Sequence, residues 1–312
     1  MNQLIHVERG RFVHPELTAD GKARAEVPLR RLDTLWFCTG TLCNLACDHC
    51  YIESSPSNDR LVYLSLAEVD GFLDEIESLG LGTREIGFTG GEPFMNPDII
   101  AMLDSALQRG HEVLVLTNAM RPMMKLAPPL AALNATYGER LKVRVSIDHY
   151  SPSAHERERG PRSWKPTIEG LRWLSENGFR LNVAGRTCWG EEEPALRDGF
   201  AALFADERIN VDAQDPGQLL LFPEMDGAMD VPEITTECWG ILGKRPEDIM
   251  CASSRMVLKH KGAPAPVVAS CTLLPYAEAF NLGPTLRDAL EPIRLNHPHC
   301  AKFCVLGGGS CS

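Results

Sequence analysis

No stretch of this chain approaches the roughly 18 consecutive apolar residues of a membrane-spanning helix, so no membrane anchor is expected. The start, Met1 to Val7, has no charged segment leading into an apolar one. A secretory signal is therefore not expected, and the chain reads as cytoplasmic. Positive charge is short: 31 Lys and Arg stand against 42 Asp and Glu, a net charge of −11, with no basic block. Nothing would cover a phosphate backbone, which excludes a general nucleic-acid binder. Internal repeats and low-complexity segments are lacking too. With 44% hydrophobic and 23% charged residues the composition is that of an ordinary globular protein, which excludes disorder. At about 150 residues per domain, 312 residues make one large domain or two smaller ones.

What the chain does have is cysteine. The count, 11, is odd and fits a disulfide framework poorly. In a reducing compartment, clustered cysteines serve as metal or cluster ligands rather than cross-links. They form a tight N-terminal group (Cys43, Cys47, Cys50) and a spread C-terminal group (Cys238, Cys251, Cys271, Cys300, Cys304, Cys311). Cys38 and Cys188 stand apart and read as buried structural thiols.

Residues 1–33 are polar and weakly patterned, a lead-in segment with at most a short hairpin. From 34 to 215, strand-like and helix-like stretches alternate. Strands are expected at 35–38, 85–89, 113–117, 141–147, 181–184 and 209–213. Ser65 and Glu68 form a capping box ahead of apolar residues at helical spacing, and Gly80 supplies the stop. Asn96-Pro97 opens a second helix, and helices are expected near 121–134, 166–177 and 194–204. About six strand-then-helix units imply parallel strands with helical crossovers, wrapped as a full or partial barrel or a doubly wound sheet. The fold class is α/β, with a partial (β/α)6 barrel over 34–215, and active residues belong at the C-terminal ends of its strands. Asp215-Pro216-Gly217, Pro223 and Pro232 mark a linker over 216–235. Beyond it, residues 236–312 read as a small, loop-rich extension. Stretches 256–259 and 267–270 flank a β-hairpin, 284–290 make a helical turn or two, and the last dozen residues are loop around Gly307-Gly308-Gly309. A tail this loop-rich needs a staple, and its cysteines are the candidates.

Cys43-x3-Cys47-x2-Cys50 follows the first strand of the series. Three thiolates within eight residues wrap one soft metal centre, either zinc, with His49 as a further ligand, or an iron–sulfur cluster. Three cysteines leave one iron of a cubane without a protein ligand, which permits chemistry rather than electron transfer alone. Gly90-Gly91-Glu92-Pro93 follows the second strand. Glycines there let the backbone approach a ligand closely, and Glu92 offers a carboxylate to an ammonium group.

This pair of motifs resembles the radical S-adenosylmethionine (radical SAM) superfamily over about residues 33–215. The resemblance implies that Cys43, Cys47 and Cys50 hold a 4Fe–4S cluster whose fourth iron is chelated by S-adenosylmethionine. It also implies that Gly90, Gly91 and Glu92 contact the amino group of that cofactor. The residue before the last cysteine, usually aromatic in the family, is His49 here. Ser146 and Asp148, at the fourth strand end, match the place where the family sets polar groups near the ribose. Arg186, with Asn118 and Asn182, stands near strand ends within reach of the cofactor. His155-x3-Arg159-Gly160 resembles a segment of members that carry auxiliary clusters, without an assigned role.

The tail, with Cys251, Gly262, Cys271 and Cys300-x3-Cys304, resembles the auxiliary-cluster extensions called SPASM and twitch domains, the shorter twitch type above all. The resemblance implies that Cys251, Cys271, Cys300 and Cys304 ligate a second 4Fe–4S cluster. Cys238 and Cys311 remain as replacements for one of the four. Eight rather than about four residues separate Gly262 from Cys271, a departure from the family hairpin. A structural zinc or buried free thiols are the other reading of these cysteines. His297 and His299, beside Cys300, read as a solvated loop.

By this resemblance the chain is an enzyme. Its reduced cluster would cleave S-adenosylmethionine to a 5′-deoxyadenosyl radical that takes hydrogen from a substrate. The auxiliary cluster would accept an electron, giving oxidation or bond formation. The substrate is a small molecule or a peptide. The short stretch before the first strand tilts the reading slightly towards a small molecule, or a peptide delivered by a separate protein. An external electron donor such as a flavodoxin or ferredoxin is implied, and neither nucleic acid nor membrane is an expected partner. A protein or peptide maturase is the alternative enzyme, and a non-catalytic iron–sulfur or zinc protein the alternative class.

Overall fold

The computed structural model describes residues 10–223 and 230–307. Strand β1 (Glu26–Val27) lies outside the main sheet. The sheet begins with β2 (Thr34–Cys38), every residue of which is buried, as a strand covered on both faces requires. After it come α1 (Leu66–Leu79), β3 (Glu85–Thr89), α2 (Ile99–Gln108) and β4 (Glu112–Thr117). Next are α3 (Arg121–Lys125), α4 (Ala127–Tyr137), β5 (Leu141–Ser146), α5 (Pro152–Arg159) and α6 (Trp164–Glu176). The series ends with β6 (Arg180–Arg186), α7 (Glu193–Glu207) and β7 (Leu219–Phe222).

Strands β2 to β7 pair in chain order and all in parallel, six strands of an open, partial barrel. Residues on one face, such as Phe37, Phe88, Val115 and Val143, pack against the helices in the largest core. Trp36, Cys38 and Leu114, on the opposite face, fill the barrel interior. The capping box on α1 forms as expected: Ser65 Oγ accepts from the Glu68 amide at 3.3 Å and Glu68 accepts from the Ser65 amide at 2.9 Å.

Four expectations need correction. First, residues 209–213 are not a strand. Ile209, Val211 and Ala213 are buried in the connection after α7, and the sixth strand is β7, inside the stretch read as linker. Asp215-Pro216-Gly217 does not leave the sheet. The Asp215 carboxylate accepts from the Gly217 amide at 2.8 Å and turns the chain into β7.

Second, the loop-rich extension over 236–312 is not set apart from the barrel, because strands within it extend the main sheet. After α8 (Cys238–Leu242), strand β8 (Ser254–Leu258) pairs in parallel with the free side of β2. The antiparallel hairpin to β9 (Val267–Ala269), expected from the sequence, then continues to β10 (Asn281–Gly283), making nine strands in one sheet. Third, the lead-in segment belongs to the C-terminal part. β1 pairs with β11 (Ile293–Arg294), and the buried Arg24–Glu233 pair, at 2.6 Å, ties residue 24 to the chain after β7. Fourth, residues 301–306, within the last dozen expected as loop, belong to one widened helical stretch, Cys300–Leu306, which turns Cys300, Phe303 and Val305 inward. Cys311 lies outside the described residues.

Candidate active site

The loop after β2 carries Cys43, Cys47 and Cys50, and it is held from three sides. Gly91 and Glu92 donate backbone N–H groups to Gly40 O (2.8 Å) and Leu42 O (3.1 Å). A Cβ on Gly90 would lie 2.5 Å from Gly40 O, and one on Gly91 2.3 Å from Leu42 O. Gly90 also adopts φ +135°, which L side chains rarely take. The glycine pair is therefore required for this loop to dock on the backbone of the cysteine loop, not only for approach to a ligand.

On the second side, Glu158 of α5 accepts from the His49 amide (3.0 Å) and pairs with His49 Nδ1 (2.8 Å), and its carbonyl accepts from the Asp48 amide (2.9 Å). On the third, Arg186 at the end of β6 donates to His49 O at 2.9 Å. Buried Asp148 and Glu158 join half-buried Arg159 and Arg186 in one ion cluster. Arg159 Nε lies 2.6 Å from Asp148, and Arg186 lies 3.3 Å from both carboxylates. Burial pushes the Asp148 carboxyl up, but Arg159 and then Arg186 outweigh it and hold the group below its ordinary range.

A cavity of about 150 Å³ brings together Cys43, Cys47, Cys50, Gly90, Gly91, Thr117, Asn118, Ser146, Arg159 and Arg186. Of the residues expected to meet a cofactor, Gly90, Gly91, Ser146 and Arg186 line it. Asp148 lines the adjoining cavity instead. Glu92 is buried behind the wall, its oxygens accepting from Thr117 Oγ1 (2.8 Å), the Asn118 amide (2.9 Å) and the Phe94 amide (3.2 Å). Burial still pushes its carboxyl up to about 7. Its visible work is to bind the end of β4, and so Asn118, whose side-chain Nδ2 donates to Asn44 Oδ1 at 2.9 Å. Asn182 is spent on Gly217 O.

Sequence reasoning missed Arg159 and Glu158 as site residues. The His-x3-Arg-Gly spacing was the available signal, and α5 makes this segment the anchor of the cysteine loop.

The residues fit a thiolate-bound group. Three thiols face one cavity beside backbone and cationic groups. Burial pushes the Cys43 thiol up to about 12 and Cys47 upward. Coordination is what deprotonates such a thiol. Among the described residues, no three His, Cys, Asp or Glu side chains close on a single point as one metal ion would need.

The second group assembles as well. Cys251, Cys271, Cys300 and Cys304 line one small pocket walled by Ile249, Leu274, Phe280, Ile293 and Leu295, with His299 at its side. Burial first, then the neighbouring thiols, pushes Cys271 upward. Cys238 is not part of this wall. Its sulfur meets the Thr235 amide at 3.4 Å.

Between the two cysteine sites lies a third cavity, of about 190 Å³, lined by Leu116, Arg144, Asp148, Phe222, Leu273 and Phe303 among others. It shares Tyr51, Leu116, Ser146, Arg159 and Arg186 with the first site and Leu273 with the second. Phe303, from the helix that carries Cys300 and Cys304, stacks on Phe222 of β7 at 6.2 Å.

Six parallel strands in an open partial barrel, with a triple-cysteine loop at their C-terminal ends, define a class of α/β barrel proteins with a site for a thiolate-bound group. Residues 38–195 match the family model of the Radical SAM superfamily, and the chain belongs to that superfamily. It is 33% identical over 143 residues to the antilisterial bacteriocin subtilosin biosynthesis protein AlbA of Bacillus subtilis (strain 168), covering 46% of this chain and 30% of AlbA. It is 31% identical over 163 residues to the mycofactocin maturase MftC of Mycolicibacterium smegmatis, covering 52% of this chain and 39% of MftC. The matches thus span well under half of these curated relatives. Among solved structures, Streptococcus suis SuiB bound to S-adenosylmethionine superposes with a TM-score of 0.58 at 12% identity, over 81% of this chain and 63% of SuiB. Native anSMEcpe with bound AdoMet superposes with a TM-score of 0.58 at 13% identity, over 86% of this chain and 82% of the other. These two likenesses concern the fold. No helix among the described residues is long and apolar enough to cross a membrane.

Proposed function

We propose that this chain holds a 4Fe–4S cluster on Cys43, Cys47 and Cys50 with S-adenosylmethionine beside it, holds a second cluster on Cys251, Cys271, Cys300 and Cys304, and modifies a peptide. One observation carries the reading: a cavity that borders both cysteine sites, sharing five wall residues with the first and Leu273 with the second. When bound, the first cluster and S-adenosylmethionine supply a carbon-centred radical that takes a hydrogen atom from an unactivated C–H bond.

The chain's own part is placement and exclusion of water. Gly90, Gly91, Ser146, Asn118 and Arg186 form the walls that orient the cofactor. Arg159 and Asp148 close the cavity edge. Phe222, Leu273 and Phe303 make the far wall apolar and keep water from the reacting carbon. The middle cavity has room for about one side chain, which suits a peptide that presents one residue at a time. The names of AlbA and MftC, a bacteriocin biosynthesis protein and a maturase, and the SuiB structure with precursor peptide SuiA, favour a peptide over a free small molecule. An external electron donor such as a flavodoxin or ferredoxin belongs to this reading.

The test uses anaerobically reconstituted protein, assayed for iron, sulfide and 5′-deoxyadenosine after reductant and S-adenosylmethionine are added. About eight irons per chain with nucleoside formation are expected. Synthetic peptides should raise the nucleoside yield and be recovered with altered mass. About four irons would remove the second cluster. Zinc without nucleoside would overturn the whole reading.

A further inference from the structure

Arg255 of β8 is 1% exposed, yet among the described residues its hydrogen bonds go to no carboxylate. Its Nε donates to Ala289 O at 2.9 Å. Nη1 donates to Cys251 O at 2.6 Å and Ser254 O at 2.8 Å, and Nη2 donates to Glu291 O at 3.3 Å. All four acceptors are neutral backbone carbonyls. Arginine this deep ordinarily pairs with an acid, because a buried cation without an anion is costly. A guanidinium keeps its proton at neutral pH even when buried. Among the described residues, the ionisable side chains that act on it are the thiols of Cys251 and Cys271. Both line the second cysteine pocket, whose remaining wall is largely apolar.

We propose that Arg255 is a positioning residue for the auxiliary site, supplying the fixed counter-charge of the cysteine-ligated group and favouring its reduced form. The inference rests on the reading that Cys251, Cys271, Cys300 and Cys304 hold a cluster. Thiolate ligation makes that group an anion, and one-electron reduction adds a further negative charge. A cation fixed in a low-dielectric shell lowers the energy of the more negative state by more. Hydrogen bonding and charge outside the ligand shell are general levers on such potentials. Through Nη1, Arg255 also fixes the backbone of Cys251, so charge and ligand are held in register.

The test is an anaerobic redox titration of the full chain, followed by electron paramagnetic resonance. It is run in a Cys43→Ala, Cys47→Ala, Cys50→Ala background so that only the second site reports. The background protein should bind about four irons. Arg255→Gln, neutral but still a donor, should load and show an equilibrium constant for reduction at least tenfold lower, a 59 mV fall for one electron. Arg255→Lys, which keeps the charge, should load and return the midpoint towards that of the background. A loaded Arg255→Gln protein with an unchanged midpoint overturns the inference. So does failure of both variants to load, which would assign Arg255 to holding the backbone alone. No iron in the background protein would remove the cluster reading itself, and the two failures are thereby distinguished.

Discussion

At the scale of single residues, His155 shows how burial sets a pH dependence. It is fully buried on α5, its ring 5.4 Å from that of Trp164, and neither ring nitrogen has a hydrogen-bond partner among the described residues. Burial, then Arg159, pulls its pKa down to about 4. Between about pH 6.5 and 4 the unfolded chain binds a proton that the folded chain refuses, so stability falls as pH falls through that window. The contribution is up to about 3 kcal/mol. His155→Phe keeps a ring against Trp164 and removes the proton. Denaturant unfolding at pH 7 and pH 5 should therefore show the variant losing less stability than the parent on acidification. An equal loss in both would mean that His155 does not set the slope. Cys43, Cys47 and Cys50 were legible as a group because close spacing on a chain forces closeness in space, whereas Cys251, Cys271, Cys300 and Cys304 were grouped only through the resemblance to auxiliary-cluster extensions. Glu158 and Arg159 were not, because the pairing of Glu158 with His49 joins positions 109 residues apart.

At the scale of elements, the decisive contact is loop on loop. Residues 90–92 lie against residues 40–42 through backbone hydrogen bonds, and Gly91 leaves no space for a Cβ, which would stand 2.3 Å from Leu42 O. Gly91→Ala should part the loops at a cost of about 1–3 kcal/mol. Iron after reconstitution should drop from about eight towards about four per chain, because only the first site is disturbed. Circular dichroism should stay that of the parent. Full iron with unchanged stability would show that the loops tolerate separation. The Gly-Gly pair was visible in the sequence, but its partner was not, since a glycine carries no sign of which backbone approaches it. Element types were mostly readable from period and caps. The sixth strand was not, because Leu219–Phe222 is a short apolar run directly after a Pro-Gly turn and has no alternation to mark it.

At the scale of the whole molecule, one sheet crosses the division that composition suggests. β8 pairs with β2 through Thr34 to Phe37, and Met256 and Leu258 pack with Trp36, Cys38 and Leu61 inside the barrel. The N-terminal strand β1 in turn completes the C-terminal part by pairing with β11, and Ala25 and Val27 share a core with Cys251 and Cys300. A loop-rich tail reads from sequence as a separate unit because strand pairing between residues 220 positions apart leaves no local mark, as Thr34 with Ser254 shows. Removing residues 236–312 would strip one side of β2 and leave an apolar edge and interior open to water. The full chain should therefore unfold in one cooperative transition by both far- and near-ultraviolet circular dichroism. A chain ending at residue 235 should lose its near-ultraviolet signal and bind a hydrophobic dye, the marks of lost packing. If that shortened chain instead gave a sharp transition and retained about four irons, the barrel would be an independent domain and the shared sheet incidental to its folding.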